Sequence, residues 1–174
     1  ESQTINNPAG IGMSVPLPGQ ALTLNAASEV NVWVAIKPDD TCVVRIARSE
    51  MGQGTLTGLA QLVVEELESD WNKIAVDRIT PGQNLARKRV WGDMSTGGSQ
   101  GIRSSQDYVR QGGAVARTML LQAAADEWKV PREELTVANG VITHAASGRS
   151  TTYGKVATAA AKLQAPDGKT IKLK

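Results

Sequence analysis

The sequence is nearly devoid of the residues from which metal sites and disulfide scaffolds are built. One cysteine, Cys42, and one histidine, His144, occur in 174 residues. That excludes a disulfide framework and a Cys/His zinc site within this chain. No apolar run approaches the ~20 residues that span a bilayer. No basic-plus-apolar leader opens the chain, which starts at Glu1 rather than Met; the start reads as the edge of a processed or shortened form. An excess of one charge is also missing. The 19 basic and 17 acidic residues are well mixed, for a net +2, and give no argument for nucleic acid. The basic groups Arg87-Lys88-Arg89 and Lys169, Lys172, Lys174 read as solvated faces. The phosphate-loop pattern GxxxxGK[ST] is absent. Gly52-Gln53-Gly54 does not extend to G-x-G-x-x-G, because Thr57 stands third after Gly54.

What remains is an ordinary apolar fraction, 41%, in a chain long enough for one core. Residues 1–28, rich in Asn, Gly, Pro, Ser and Gln, read as an extended lead-in. Residues 29–174 read as the folded portion. Val30–Ile36 and Thr41–Ala47 carry strand signals around the turn Lys37-Pro38-Asp39-Asp40, a hairpin. Leu56, Leu59, Ala60, Val63, Val64 and Leu67 recur at helical spacing over Thr55–Leu67. A strand over Ile74–Ile79 closes at Pro81-Gly82, and a long polar segment, 83–106, follows. Tyr108–Trp128 reads as a long helix with alanines for close packing, ended by Val130-Pro131. Leu135–Thr143 is a hairpin around Asn139-Gly140. A short helix over Tyr153–Leu163 and a strand-like KTIKLK finish the chain. The fold class is α+β, a mixed sheet with two main helices and no clean βαβ repeat.

Two glycine-rich turns are the candidate site, each read as a strand-to-helix entry. They are Gly52-Gln53-Gly54-Thr55 and Thr96-Gly97-Gly98-Ser99, with Ser104 and Ser105 behind the second. A helix N-terminus offers unpaired N–H groups and partial positive charge. Glycine lets a ligand approach that backbone, and Gln53 adds an amide donor and acceptor. The pattern suits an anion or the edge of a polar heterocycle such as a pterin. The plain alternative is that Thr55 or Ser104 only caps a helix. Glu65-Glu66 reads as a solvated pair on the polar helix face, Cys42 as a buried thiol, and His144 as a surface or strand-end residue.

The run EMGQGTLTGLAQLVVEEL, followed by STGGSQGIRSSQDYVRQGGAVAR, resembles the molybdopterin-binding subunit of the xanthine dehydrogenase and aldehyde oxidase family. VPREELTVANGVITH, SGR and TTYGKVA make it most similar to the exported branch of isoquinoline oxidoreductase and membrane-linked aldehyde dehydrogenases. The resemblance spans roughly residues 29–163. It implies a molybdenum–molybdopterin cofactor, in the cytosine dinucleotide form, and hydroxylation of an aldehyde or N-heterocycle with oxygen from water. It places Gly52, Gln53, Gly54, Thr96, Gly98 and Ser99 against the cofactor. It implies [2Fe-2S] clusters on a small partner subunit, admits a cytochrome c subunit, and makes the rest of a larger subunit the chain's first partner. It favours a periplasmic location behind a twin-arginine leader, with cytoplasmic as the alternative. The family's second hydroxyl, two residues after the serine, is here Gly101; Ser104 or Ser105 is the substitute. The family's catalytic glutamate, in a GVGE-like motif, and its GGQ-like element are missing. The chain is therefore expected to be a non-catalytic N-terminal fragment, with no catalytic and no metal-ligating residue. A structural module that keeps the fold without the cofactor, and a small nucleotide-binding protein, are the competing readings.

Overall fold

The computed structural model describes residues 27–174. All but the last two residues of the expected lead-in lie outside that range. In chain order the regular elements are β1 (Ser28–Glu29), β2 (Val34–Ile36), β3 (Cys42–Ile46), α1 (Thr55–Leu67), β4 (Ile74–Arg78), α2 (Pro81–Ala86), α3 (Gln100–Arg103), α4 (Gln106–Trp128), β5 (Leu135–Ala138), β6 (Val141–His144), β7 (Arg149–Thr152) and α5 (Tyr153–Ala160).

The first sheet is mixed, in the order β1-β2-β3-β4. β2 pairs antiparallel with β1 and β3, and β4 pairs parallel with β3, with Val44 opposite Val76. The parallel pair requires a crossover, and α1 supplies it. The apolar run of β3 is buried on both faces, as a central strand covered on both sides must be. α1 packs on β3 and on α4, and α5 packs on α4, β1 and β2. The second sheet, β5-β6-β7, is antiparallel. Its Asn139-Gly140 turn has φ of 50° and 74°, the left-handed pair expected of a two-residue hairpin.

The α1–α4 seam sets the interior. Gly113 brings α4 against α1 so closely that an added Cβ would stand 2.3 Å from the Val63 carbonyl oxygen. Beside it Glu66 is fully buried and takes two hydrogen bonds from Arg110, at 2.7 and 2.9 Å. The expected solvated pair is therefore split: Glu65 is exposed, but Glu66 turns inward to the guanidinium.

Four further expectations are corrected. Val30–Trp33 is a tight turn rather than strand: the Asn31 carboxamide oxygen accepts the N–H groups of Trp33 (2.9 Å) and Val34 (3.0 Å), and the chain doubles back as β1 and β2. The polar segment 83–106 holds α2, whose Thr80/Gln83 capping box with Pro81 at its start was legible but unread. KTIKLK forms no strand. Asp167 caps a 3₁₀ turn over Gly168–Thr170, and the Lys174 N–H donates to the Glu66 carboxylate at 3.2 Å, so the segment bonds to side chains across the helices. The solvated basic face loses Arg87, which pairs with Glu29 at 2.6 Å and lies over the Trp91 ring. β7, between the expected hairpin and the last helix, adds a third strand to that hairpin.

Candidate functional site

The first turn is held by a carboxylate. β3 ends at Ile46 and α1 begins at Thr55, and the chain between them reverses through Gly52 (φ 96°) and Gly54 (φ 83°). Only glycine visits such angles at little cost. Gly54 is the N-cap residue and offers no side chain. Glu50 does the capping instead. One of its oxygens accepts the N–H groups of Gly52 (2.7 Å) and Gly54 (3.0 Å), and the other that of Leu56 (2.8 Å). The amides of Leu56, Gly54 and Gly52 hold its carboxyl below the ordinary glutamate value. Thr55, one of the candidate caps, is buried as the first helical residue.

The second turn is not a strand-to-helix entry. It leaves irregular chain, makes a 3₁₀ turn over Gly97–Ser99 and opens the four-residue α3. Gly98 (φ 63°) and Ser99 (φ 60°) are both left-handed. The Arg103 guanidinium donates to the Gly98 carbonyl at 3.3 Å. Gly101 is buried beneath this turn; a Cβ there would lie 2.7 Å from the hydroxyl oxygens of both Thr55 and Thr96. That is why no serine stands at this position: the two threonines fill its space. Of the substitutes, Ser105 is committed internally. It is buried and accepts hydrogen bonds from Arg48 (2.7 Å) and the Tyr108 hydroxyl (2.6 Å). Ser104 is exposed.

The fold joins the two turns. Gln53 sits at the junction. Its amide nitrogen donates at 3.0 Å to the Ser49 carbonyl, the Thr55 hydroxyl and the Thr96 hydroxyl, two hydrogens shared among three acceptors. Its oxygen accepts the Met51 N–H at 2.7 Å. Ser49 donates N–H and hydroxyl to the Met94 carbonyl, both at 2.9 Å. Arg48, 5% exposed, fastens the web from below, reaching Ser105, Asp93 (2.9 Å) and the Ser95 carbonyl. The Ser95 amide, with Arg48, keeps the Asp93 carboxyl below its usual range. Above the web the backbone is bare: a Cβ built on Gly52, Gly54, Gly97 or Gly98 would meet nothing within 4 Å. All six expected residues, Gly52, Gln53, Gly54, Thr96, Gly98 and Ser99, thus lie on one framework. The sequence reading missed Arg48 and Glu50. Their signals were an arginine ending a buried strand and a carboxylate two residues ahead of a glycine turn.

The remaining reactive groups serve structure. Cys42 is buried, and burial pushes its thiol up to about 12. His144 is 5% exposed rather than on the surface; it ends β6 between Glu134 (2.8 Å) and Ser147 (2.7 Å). Among the described residues no three His, Cys, Asp or Glu side chains gather as a metal site, and no helix is long and apolar enough to cross a membrane.

The bare glycine backbone of both turns, with the hydroxyls of Thr96 and Ser99 beside it, leaves room for a flat, polar heterocycle. Comparison with known proteins shows the family. The molybdopterin cofactor-binding domain matches residues 1–172. The chain is 35% identical over 143 residues to the isoquinoline 1-oxidoreductase subunit beta of Brevundimonas diminuta, covering 82% of this chain and 18% of the relative. It is 31% identical over 149 residues to the membrane-bound aldehyde dehydrogenase [pyrroloquinoline-quinone] of Gluconacetobacter polyoxogenes, covering 86% and 18%. The chain thus spans about a fifth of the length of these relatives. Quinoline 2-oxidoreductase from Pseudomonas putida 86 shares the fold with a TM-score of 0.53 at 15% identity, over 72% of this chain and 15% of that one. Reconstituted CO dehydrogenase from Oligotropha carboxidovorans gives a TM-score of 0.54 at 18% identity, with the same coverage. The chain belongs to the molybdopterin cofactor-binding domain family.

Proposed function

We propose that this member of the molybdopterin cofactor-binding family lays the pterin of a molybdenum cofactor across Gly52-Gln53-Gly54 and Thr96, Gly98 and Ser99, as one part of a larger molybdenum hydroxylase subunit. The observation that carries the reading is the junction itself. Two glycine turns 43 residues apart meet through Gln53 and Thr96 at 3.0 Å, and both present bare backbone outward.

Bound there, the cofactor supplies the two-electron redox chemistry. The chain's residues bind and orient. Glycine at four positions lets a ring approach main chain, and the Ser99 hydroxyl and the turn amides not held by Glu50 offer hydrogen bonds to its polar edge. No residue of this chain is assigned to proton transfer. The proposed reaction is oxidation of an aldehyde or N-heterocycle, motivated by the isoquinoline oxidoreductase and aldehyde dehydrogenase relatives, with oxygen taken from water. The cofactor is taken as the cytosine dinucleotide form. Electrons pass to [2Fe-2S] clusters on a small partner subunit, with a cytochrome c subunit as a further acceptor. The location is taken as periplasmic. These finer points rest on the resemblance described above.

The test is molybdenum and pterin content, by mass spectrometry, of the full-length subunit purified with its partners. Stoichiometric metal supports the reading; a folded subunit without it overturns the reading. One observation favours the second reading, a module that keeps the fold without cofactor: the Gln53 carboxamide and the Glu50 carboxylate are already satisfied within the chain. A metal-free subunit would select it.

A further inference from the structure

We propose that Glu50 is a positioning residue of this site, holding the Gly52–Gly54 turn in the one shape that presents its backbone to the cofactor. The inference rests on the cofactor reading above.

Glycines at φ 96° and 83° have no side chain to fix them, so the turn has little shape of its own. Something else must impose it. Glu50 does so from within, spanning Gly52, Gly54 and Leu56 with both carboxylate oxygens at 2.7–3.0 Å. Charge-assisted bonds of this kind are short and strong. Two of the three partners belong to the turn and only Leu56 to the helix proper, so the residue does more than cap α1. Its negative charge meets the positive helix end, where a free anion would otherwise settle. The first turn is thereby closed to a phosphate and left for a neutral, polar edge. Gln53 takes the Met51 N–H. Among the described residues the Gln53 and Thr55 N–H groups have no acceptor, and they are the amides of this turn left over for a ligand.

The test compares Glu50→Ala, Glu50→Gln and a distant control, Asp70→Ala, in the full-length subunit with its partners. Asp70 caps the 3₁₀ turn at Trp71 through Asn72, so its loss lowers stability without touching the turn. The readouts are molybdenum per folded chain and the visible circular dichroism of the bound cofactor. Glu50→Ala is expected to lower molybdenum per folded chain by about fivefold, the scale of a lost cap, and to change the dichroism of what remains. Glu50→Gln keeps one accepting oxygen and is expected to retain more metal than Glu50→Ala. Asp70→Ala should match wild type in both readouts. Wild-type metal content and spectrum in Glu50→Ala would overturn the proposal while leaving the cofactor reading intact. Equal loss in Asp70→Ala would also overturn it, as a general stability effect. A wild-type subunit without molybdenum would remove both.

Discussion

Gln53 does more than its place in a glycine turn implied. Reading GQG from sequence identified a flexible turn with one polar side chain; it could not show that the side chain folds back on the turn and bridges to Thr96. Replacing Gln53 by Ala is expected to cost about 1–2 kcal/mol, since three acceptors and the Met51 N–H lose their partner at an exposed position. Thermal denaturation measures this, and an unchanged Tm would show that water replaces the amide without loss. Acid sensitivity follows from the carboxylates of the same region. Glu50 is held low by backbone amides, led by that of Leu56. Asp93 is held low first by the Ser95 amide. At Glu29 burial pushes upward, but the bond from Arg87 and the charge of Arg45 outweigh it. A carboxyl depressed in the folded state adds stability above its unfolded value, 4.5 for the glutamates, and loses it as pH falls through the folded value. Asp77, raised by burial, works the other way. The Tm is therefore expected to hold between about pH 7 and about pH 5 and to fall below about pH 4.5. A flat profile down to about pH 3 would contradict the assignment.

Elements were legible where periodicity was strong. The span Thr55–Leu67 was read as it stands, and the long helix within two residues, because an apolar stripe at helical spacing needs no tertiary context. Asn139-Gly140 gave its hairpin for the same local reason. The misses had different causes: α2 carried its own local capping box, and the others turned on side chains and partners that periodicity does not show. Val30–Trp33 alternates like a strand, but the Asn31 side chain captures the backbone first. KTIKLK has strand composition but pairs with no strand among the described residues. The approach of α4 to α1 is equally nonlocal. Gly113→Ala would drive a methyl group against the Val63 carbonyl, and backbone cannot swing aside as a side chain can. The expected cost is about 3 kcal/mol. Denaturant unfolding of the variant checks it; a cost below about 1 kcal/mol would mean that the two helices slide apart freely.

At the scale of the whole molecule, several large apolar side chains stand in the open. Met51 is 76% exposed and Leu85 65%, and Val90 and Ile102 are also exposed. Contiguous exposed apolar patches mark contact surfaces, and the chain spans 18% of the length of the relatives it matches. In isolation the chain is expected to self-associate. Sedimentation velocity over a concentration series should show rising weight, and a clean monomer at high concentration would refute this.

The web that unites the two turns also sets an order of events. Arg48 and its Ser105 partner are 57 residues apart in the chain. At roughly 5–20 residues per second, a ribosome needs several seconds to pass from one to the other. During that interval the GQG turn has neither Thr96 to bond nor Ser105 beneath its arginine. A ligand that depends on both turns therefore has nothing complete to enter while the first half of the site waits for the second. Loading of a cofactor held by both turns, as proposed, would follow synthesis and folding of this region rather than accompany it.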